Sequence, residues 1–330
     1  MYNSKKLYLG IEILRVFFSF FILFFHLMNK KIYSHIFNKI VHQIMDLALK
    51  SFFIISFYFS YNSFNLKKIN KIKERFKRLI IPYVIWPIII YLEKALFNYI
   101  HGEENGVLFT LLIYQILIGN GMYLYFWFMF NLIFISLLFI IIIFITQKYM
   151  ILLILYGVLA FFISTSNLYT QFWKGYKFIV AFPIGQIIWT YMQGLFGFFF
   201  SFIKIFEKKF NKKYPLLCTL TLLFLIINNK SKFRRFIEIL LSGFLILIFA
   251  SIPSEKLNIS IYNFFKLITR YTGGIFYIHV YLNKLLKKYV SSKYNPGTIL
   301  TCTIHYFLCY FICFIGSKIF KKNILKYLFF

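Results

Sequence analysis

The sequence predicts an all-α integral membrane protein, with about ten transmembrane helices in a single bundle and short loops between them. Hydrophobic residues make up 61% of its 330 residues, aromatic residues make up 23%, and the mean hydropathy is +0.74. Because a soluble domain is about half apolar, this composition indicates a membrane protein. The apolar runs, such as residues 140–145, are continuous rather than alternating, which favours helices over a β-barrel.

The individual helices are predicted from apolar segments that approach the roughly 20 residues needed to cross a bilayer. These segments cover residues 7–28, 43–64, 79–97, 122–146, 149–166, 176–203, 214–229, 236–252, 268–287 and 298–317. A shorter apolar segment at 108–119 runs into the sequence Gly-Asn-Gly, so we expect a re-entrant or interfacial helix there. The sequence shows no internal repeat, and residues 1–330 are therefore predicted to form one membrane domain.

The charge of the chain is strongly basic: 38 Lys and Arg residues face 9 Asp and Glu residues, for a formal net charge of +29. In a soluble protein this would suggest nucleic-acid binding, but these basic residues lie mostly between apolar segments. We therefore expect membrane lipids as partners, and no nucleic acid. The predicted basic loop 65–78 should be cytoplasmic by the positive-inside rule, together with both termini of a multi-pass cell-membrane protein. The basic segments 230–235 and 284–293 would then lie outside, so the topology around them stays open.

The cysteines and most histidines follow no metal-binding pattern, and no metal is predicted. The cysteines lie in or beside apolar runs without a Cys-x-x-Cys pair, and we expect them to pack between helices: Cys218, Cys302, Cys309 and Cys313. Four histidines are interpreted as loop or packing residues: His35, His42, His101 and His305.

The first predicted helix carries a polar stripe formed by Glu12, Arg15, Ser19 and His26. At about 100° per residue, Arg15 and His26 point the same way, about 16 Å apart along the axis, and the other two lie within about 60° of Arg15. An ionisable residue inside a span costs about 2.5–3.5 kcal/mol and usually faces protein or a water-filled cavity. The stripe therefore indicates a functional cavity, the alternative being that its ends lie at the two membrane surfaces and Arg15 snorkels.

The same residues resemble the opening motif of the membrane-bound acyltransferase 3 family, whose members acylate surface sugars and related acceptors. The motif stands here as Glu12-Ile13-Leu14-Arg15, followed by an apolar run ending in His26. Further segments similar to the family follow in order at residues 52–57, 73–86, 125–128, 182–185 and 271–279. Two positions depart from the family pattern: Phe57 stands for a usual Gly, and Tyr125 for a frequent His.

The resemblance implies an O-acyltransferase that moves an acyl group, most simply acetyl from acetyl-CoA, to a hydroxyl of a cell-envelope polysaccharide or lipid-linked sugar. It assigns His26 as the general base. It implies that Arg15 is required, either to bind the donor or to polarise the thioester carbonyl. Glu12 would hold the Arg15 guanidinium in place, and Ser19 completes the stripe.

Other residues receive supporting roles from the same resemblance. Arg75 and Arg78, in the basic segment, are expected to bind the nucleotide end of coenzyme A, the alternative being a lipid-headgroup anchor. Tyr277 and His279 are expected to support the site, His279 either behind the reacting groups or at the acceptor site, the alternative being a hydrogen bond within the helix bundle. His279 and Asn283 share one helix face at i, i+4. Trp127 would stack on a sugar ring or lie in the interfacial aromatic belt.

Two other classes of protein remain open. A transporter or flippase of lipid-linked sugars would also have about ten spans with intramembrane charges, but it predicts an inverted repeat, which the sequence lacks. A non-catalytic membrane scaffold would fit the departures at Phe57 and Tyr125. Release of free thiol from acetyl-CoA distinguishes the enzyme from both.

Overall fold

The computed structural model describes residues 9–60, 69–100, 108–117, 127–146, 157–158, 184–202, 219, 234–250, 252, 259–290, 297–321 and 324–329. Within these ranges nearly every residue is helical and none is in a strand, which confirms the all-α fold. The helices are α1 (Leu9–Leu27), α2 (His35–Ser60), α3 (Ile69–Ile100), α4 (Leu108–Leu117), α5 (Trp127–Thr146), α6 (Ile184–Phe202), α7 (Arg234–Ala250), α8 (Ile259–Thr269), α9 (Thr272–Leu285) and α10 (Ile299–Ile319). A π-helical turn (Leu286–Val290) extends α9, and a 3₁₀ helix (Ile324–Phe329) follows α10.

Five of the described helices are long and apolar enough to cross a membrane: α1, α2, α3, the 127–144 part of α5, and α10. These are compatible with the predicted ten spans. The ten-residue α4 matches the short segment expected after residue 107. The spans predicted at 149–166 and 214–229 lie almost entirely outside the described residues.

The prediction of a loop at 65–78 is wrong from residue 69 onward, because α3 already begins there. Lys, Arg and Glu are good helix formers when flanked by apolar residues, and Glu74 and Lys77 pair across one turn at 3.4 Å. The basic residues of this segment therefore do not end the helix. Two buried prolines, Pro82 and Pro87, lie inside α3, as membrane helices tolerate.

The span predicted at 268–287 corresponds to α9 with its π-helical turn, and the chain breaks near the predicted start, at Arg270 and Tyr271 between α8 and α9. Near this break, the Thr269 hydroxyl donates to the Phe265 carbonyl at 2.8 Å, and the Thr272 hydroxyl donates to the Thr269 carbonyl at 3.0 Å. Such side-chain bonds compete with the helical backbone pattern. The two glycines that follow Thr272 further weaken helix continuity.

The helices fall into two compact units, one formed by residues 1–55 and 200–330, the other by residues 56–199. In the first unit, α1 packs against α7, α8, α9 and α10, while α9 and α10 pack against each other and against the 3₁₀ helix. The approach of α1 to α7 is close, since a Cβ at Gly10 would overlap the Phe249 carbonyl. In the second unit, α3 packs against α4 and α5. The single-domain assignment stays a prediction.

Candidate active site

The polar stripe of α1 faces α9 and α10. Near its start, Arg15 Nη1 lies 3.2 Å from Glu12 Oε2, and Arg15 Nη2 donates to Thr272 Oγ1 at 3.3 Å. The Glu12 and Arg15 side chains are 15% and 30% exposed. The guanidinium is therefore held by an ion pair with Glu12 on its own helix and by a hydrogen bond to Thr272, the first residue of α9.

One turn further along α1, Ser19 contacts α10. Its hydroxyl donates to the Val16 carbonyl at 2.8 Å, so at 2.7 Å it accepts from the hydroxyl of Tyr306. Ser19 and Tyr306 are both buried. Tyr306 was not singled out from the sequence, since one tyrosine among 26 carries no distinguishing pattern.

Near the end of α1, the ring of His26 stacks on the ring of His279 from α9, with centroids 5.4 Å apart and planes inclined by 25°. His279 is buried, and its Nδ1 lies 3.1 Å from the Ile275 carbonyl oxygen. His305 of α10 is buried as well, and its Nε2 lies 3.0 Å from the His279 carbonyl oxygen. The interpretation of His305 as a packing residue fits this contact, which ties α10 to the backbone of α9.

Tyr277 is buried in α9 but lies about 200° around the helix from His279. The two residues therefore face opposite sides of α9. The structure thus brings together Glu12, Arg15, Ser19, His26 and His279, but it does not place Tyr277 on their side of α9.

The two arginines of α3 belong to the second unit and have different surroundings. Arg75 Nη2 lies 3.3 Å from Ser56 Oγ and 3.2 Å from Ser136 Oγ, and its guanidinium lies over the Phe57 ring, 5.3 Å from the centroid. Arg78 is exposed. Phe57, at which the resemblance leads one to expect a glycine, therefore supplies an aromatic face for the cation.

The described cysteines, Cys302, Cys309 and Cys313, are buried free thiols of α10. No group of three metal-binding side chains is found among the residues that the structure describes. Trp127 begins α5, whereas Cys218, His101 and Tyr125 lie outside the described residues.

The fold and the cluster on α1 define a helical membrane protein with an ionisable site between its helices. The model of the acyltransferase domain matches residues 8–320, so the chain belongs to the acyltransferase 3 family and is a membrane acyltransferase. No curated protein and no solved structure matches it significantly.

Proposed function

We propose that this chain transfers an acetyl group from acetyl-CoA to a hydroxyl of a cell-envelope polysaccharide or lipid-linked sugar. It would act in the cell membrane with both termini in the cytoplasm. The observation that carries the proposal is the stripe on α1, which joins a held guanidinium, Arg15, to an imidazole, His26, within one compact unit.

In the proposed reaction, the acceptor oxygen attacks the thioester carbonyl carbon, a C–O bond forms and the C–S bond breaks. His26 takes the hydroxyl proton as the oxygen attacks, then returns it to the departing coenzyme A sulfur. A general base of this kind contributes about 10²–10⁴-fold to the rate. The products are the acetyl ester and the free thiol, so atoms and charge balance.

The role of Arg15 follows from distance. His26 follows Arg15 by eleven positions, about 16 Å along the helix axis. The contacts with Glu12 and Thr272 hold the guanidinium close to the axial height of Arg15 itself. A carbonyl within hydrogen-bond reach of a hydroxyl bound at His26 is therefore too far for Arg15 to polarise. We assign Arg15 to binding the donor away from the reacting carbon.

The start of α9 supports the same assignment. Thr272, which contacts Arg15, is the first residue of this 14-residue helix, and the N-cap residue Tyr271 makes no side-chain capping bond. Backbone N–H groups at a helix N-terminus favour anions, as a guanidinium does. A phosphate of the donor, or a carbonyl other than the thioester carbonyl, would thus contact both the Arg15 guanidinium and the N-terminus of α9. Glu12 limits the free-energy penalty of burying the guanidinium.

The nucleotide end of coenzyme A would bind at the start of α3. Of the two candidate arginines, Arg78 is exposed, whereas Arg75 is engaged by Ser56, Ser136 and Phe57. Arg78 is therefore assigned the direct contact with phosphate, and Arg75 is assigned to position the segment.

The test is complementation of a strain that lacks the gene, with the O-acetyl content of envelope glycans measured by mass spectrometry at matched protein levels. His26→Ala and Arg15→Ala should each abolish acetylation, while His35→Ala, which removes an exposed imidazole from α2, should preserve it. Purified wild-type protein should also release free thiol from acetyl-CoA only when acceptor is present. Full acetylation in both α1 variants, or no thiol release, would refute the proposal.

A further inference from the structure

A pair of buried hydrogen-bond acceptors lies on α9 beside the proposed base. His279 is 1% exposed, and its Nδ1 is bonded to the Ile275 carbonyl, so in the neutral ring Nε2 carries the lone pair. Among the described residues, this Nε2 has no hydrogen-bond partner. The same holds for the buried Oδ1 of Asn283. Buried polar atoms are seldom left unpaired, so the pair points to a ligand.

His279 Nε2 and Asn283 Oδ1 belong to side chains on the same face of α9, and both are hydrogen-bond acceptors. Asn283 follows His279 by four residues, so their Cβ atoms lie about 5–6 Å apart on one side of the helix. Both atoms are acceptors, so a ligand that satisfies them must bring two donors. A lone alcohol has only one O–H, whereas neighbouring hydroxyls of a sugar supply two within that span.

The backbone around the pair is fixed from two sides. His305 Nε2 bonds to the His279 carbonyl at 3.0 Å, and the His26 ring covers one face of the His279 ring. Three residues after Asn283 the helix passes into the π-helical turn Leu286–Val290, a conformation frequent at functional sites. His279 is therefore held in place before a ligand arrives, and Asn283 lies one turn further along the same helix.

We propose that His279 Nε2 and Asn283 Oδ1 bind two hydroxyl groups on adjacent carbons of the acceptor. The inference rests on the proposed function and narrows its acceptor to a polyol with neighbouring hydroxyls. Because the bound hydroxyls donate their hydrogens to His279 and Asn283, neither is the one that reacts. The reacting hydroxyl is a further one, directed at His26, and the pair consists of positioning residues.

The experiment measures binding without any acyl donor. The full chain is placed in phosphatidylcholine nanodiscs, which avoids sugar-headed detergents, and titrated by saturation-transfer NMR. The probes are methyl glucopyranoside and methyl galactopyranoside, each compared with its 3-deoxy analogue, which has no hydroxyls on adjacent carbons. We expect wild-type protein to bind at least one parent glycoside about tenfold more tightly than its analogue.

Two variants test the residues separately. Asn283→Leu keeps the size but removes the acceptor, and His279→Phe keeps a ring for His26 but removes Nε2. Each should abolish the preference, whereas Asn283→Asp should retain it. The matched control is Asn263→Leu, at an exposed position of α8, which should behave as wild type. The two variants are measured separately. If one of them misfolds, the other still tests the proposal.

The outcomes separate this inference from the proposed function. If the wild type shows no preference, or if the preference survives in Asn283→Leu and His279→Phe, the acceptor pair binds only water and the inference is overturned, whatever the result of the acetylation assay. If the preference depends on both residues but no thiol is released from acetyl-CoA, the sugar site stands and the transfer reaction is wrong.

Discussion

The imidazole of His26 lies against the imidazole of His279, with ring centroids 5.4 Å apart and planes 25° from parallel. The two residues are 253 positions apart in the chain, and each comes from a helix of the first unit. The contact places one face of the proposed base against an aromatic ring of α9. We therefore expect both the ring of residue 279 and its polar nitrogen to affect catalysis.

Replacing His279 by Ala and by Phe should therefore give different kinetics. The Ala variant loses the supporting ring, and since an aromatic pair is worth about 0.5–1.5 kcal/mol, kcat should fall by up to roughly tenfold. The Phe variant keeps the ring, so its kcat should stay closer to wild type while its KM for the acceptor rises. Steady-state thiol release at varied acceptor concentration measures both, and identical effects on kcat in the two variants would contradict the supporting role of the ring.

The contact between Arg15 and Thr272 predicts an effect on the donor side only. Thr272→Val removes the hydroxyl that meets the guanidinium at 3.3 Å, and losing a hydrogen bond of this kind costs about 0.5–1.5 kcal/mol. The KM for acetyl-CoA should rise about two- to tenfold, with the KM for the acceptor unchanged. Thr303→Val is the matched control, because the Thr303 hydroxyl bonds to the Ile299 carbonyl of its own helix. If only the KM for the acceptor increased, Arg15 would bind the acceptor and not the donor, and the assignment would be wrong.

The buried ion pair between Lys50 of α2 and Glu238 of α7 predicts a large effect on stability. Lys50 Nζ lies 2.9 Å from Glu238 Oε2, and the two side chains are 8% and 10% exposed. Lys50→Met leaves a buried carboxylate without this cation, which costs about 3–5 kcal/mol in comparable sites. The double variant Lys50→Met/Glu238→Leu removes both charges and should recover most of the loss.

Thermal unfolding in nanodiscs, arranged as a double-mutant cycle, measures this coupling. The control is Lys77→Met, since its pair with Glu74 is about half exposed and a surface pair is worth about 0–1 kcal/mol. A double variant no more stable than Lys50→Met would show that the charges act independently.

Gly274 in α9 predicts a steric effect. A Cβ there would lie 2.8 Å from Cys313 Sγ and 2.8 Å from the Phe329 carbonyl oxygen. Because one of these atoms is backbone, Gly274→Ala should destabilise the protein by about 1–3 kcal/mol, despite the better helix propensity of alanine. In the second unit, Gly194→Ala would place its Cβ 3.1 Å from a side-chain atom of Phe57, with no backbone atom among its nearest neighbours, and should destabilise the protein less. Equal melting temperatures for the two variants would count against the predicted clash.

The sequence was sufficient to predict the helical class, the extent of α1 and the residues that share its polar face, because helical periodicity and apolar length are local properties. It did not predict Thr272 or Tyr306 as partners of Arg15 and Ser19, since periodicity does not specify which distant helix a face will meet. The break at Arg270 and Tyr271, just before α9, was not predicted because hydropathy averages over a window and does not detect side-chain bonds to backbone carbonyls. The continuation of α3 through the basic residues 69–78 was missed because charge was treated as the end of a helix.

The pairing order along α1 and α9 also constrains how the chain is threaded through the bilayer. Arg15 meets the first residue of α9, and His26 meets a residue seven positions later, so the two helices run in the same direction. The end of α1 and the start of α9 therefore lie toward opposite membrane surfaces. The chain between these two helices must cross the membrane an odd number of times. Residues 284–290 therefore lie toward the same surface as the end of α1. With α1 beginning in the cytoplasm, as proposed above, Lys284, Lys287 and Lys288 are exceptions to the positive-inside rule.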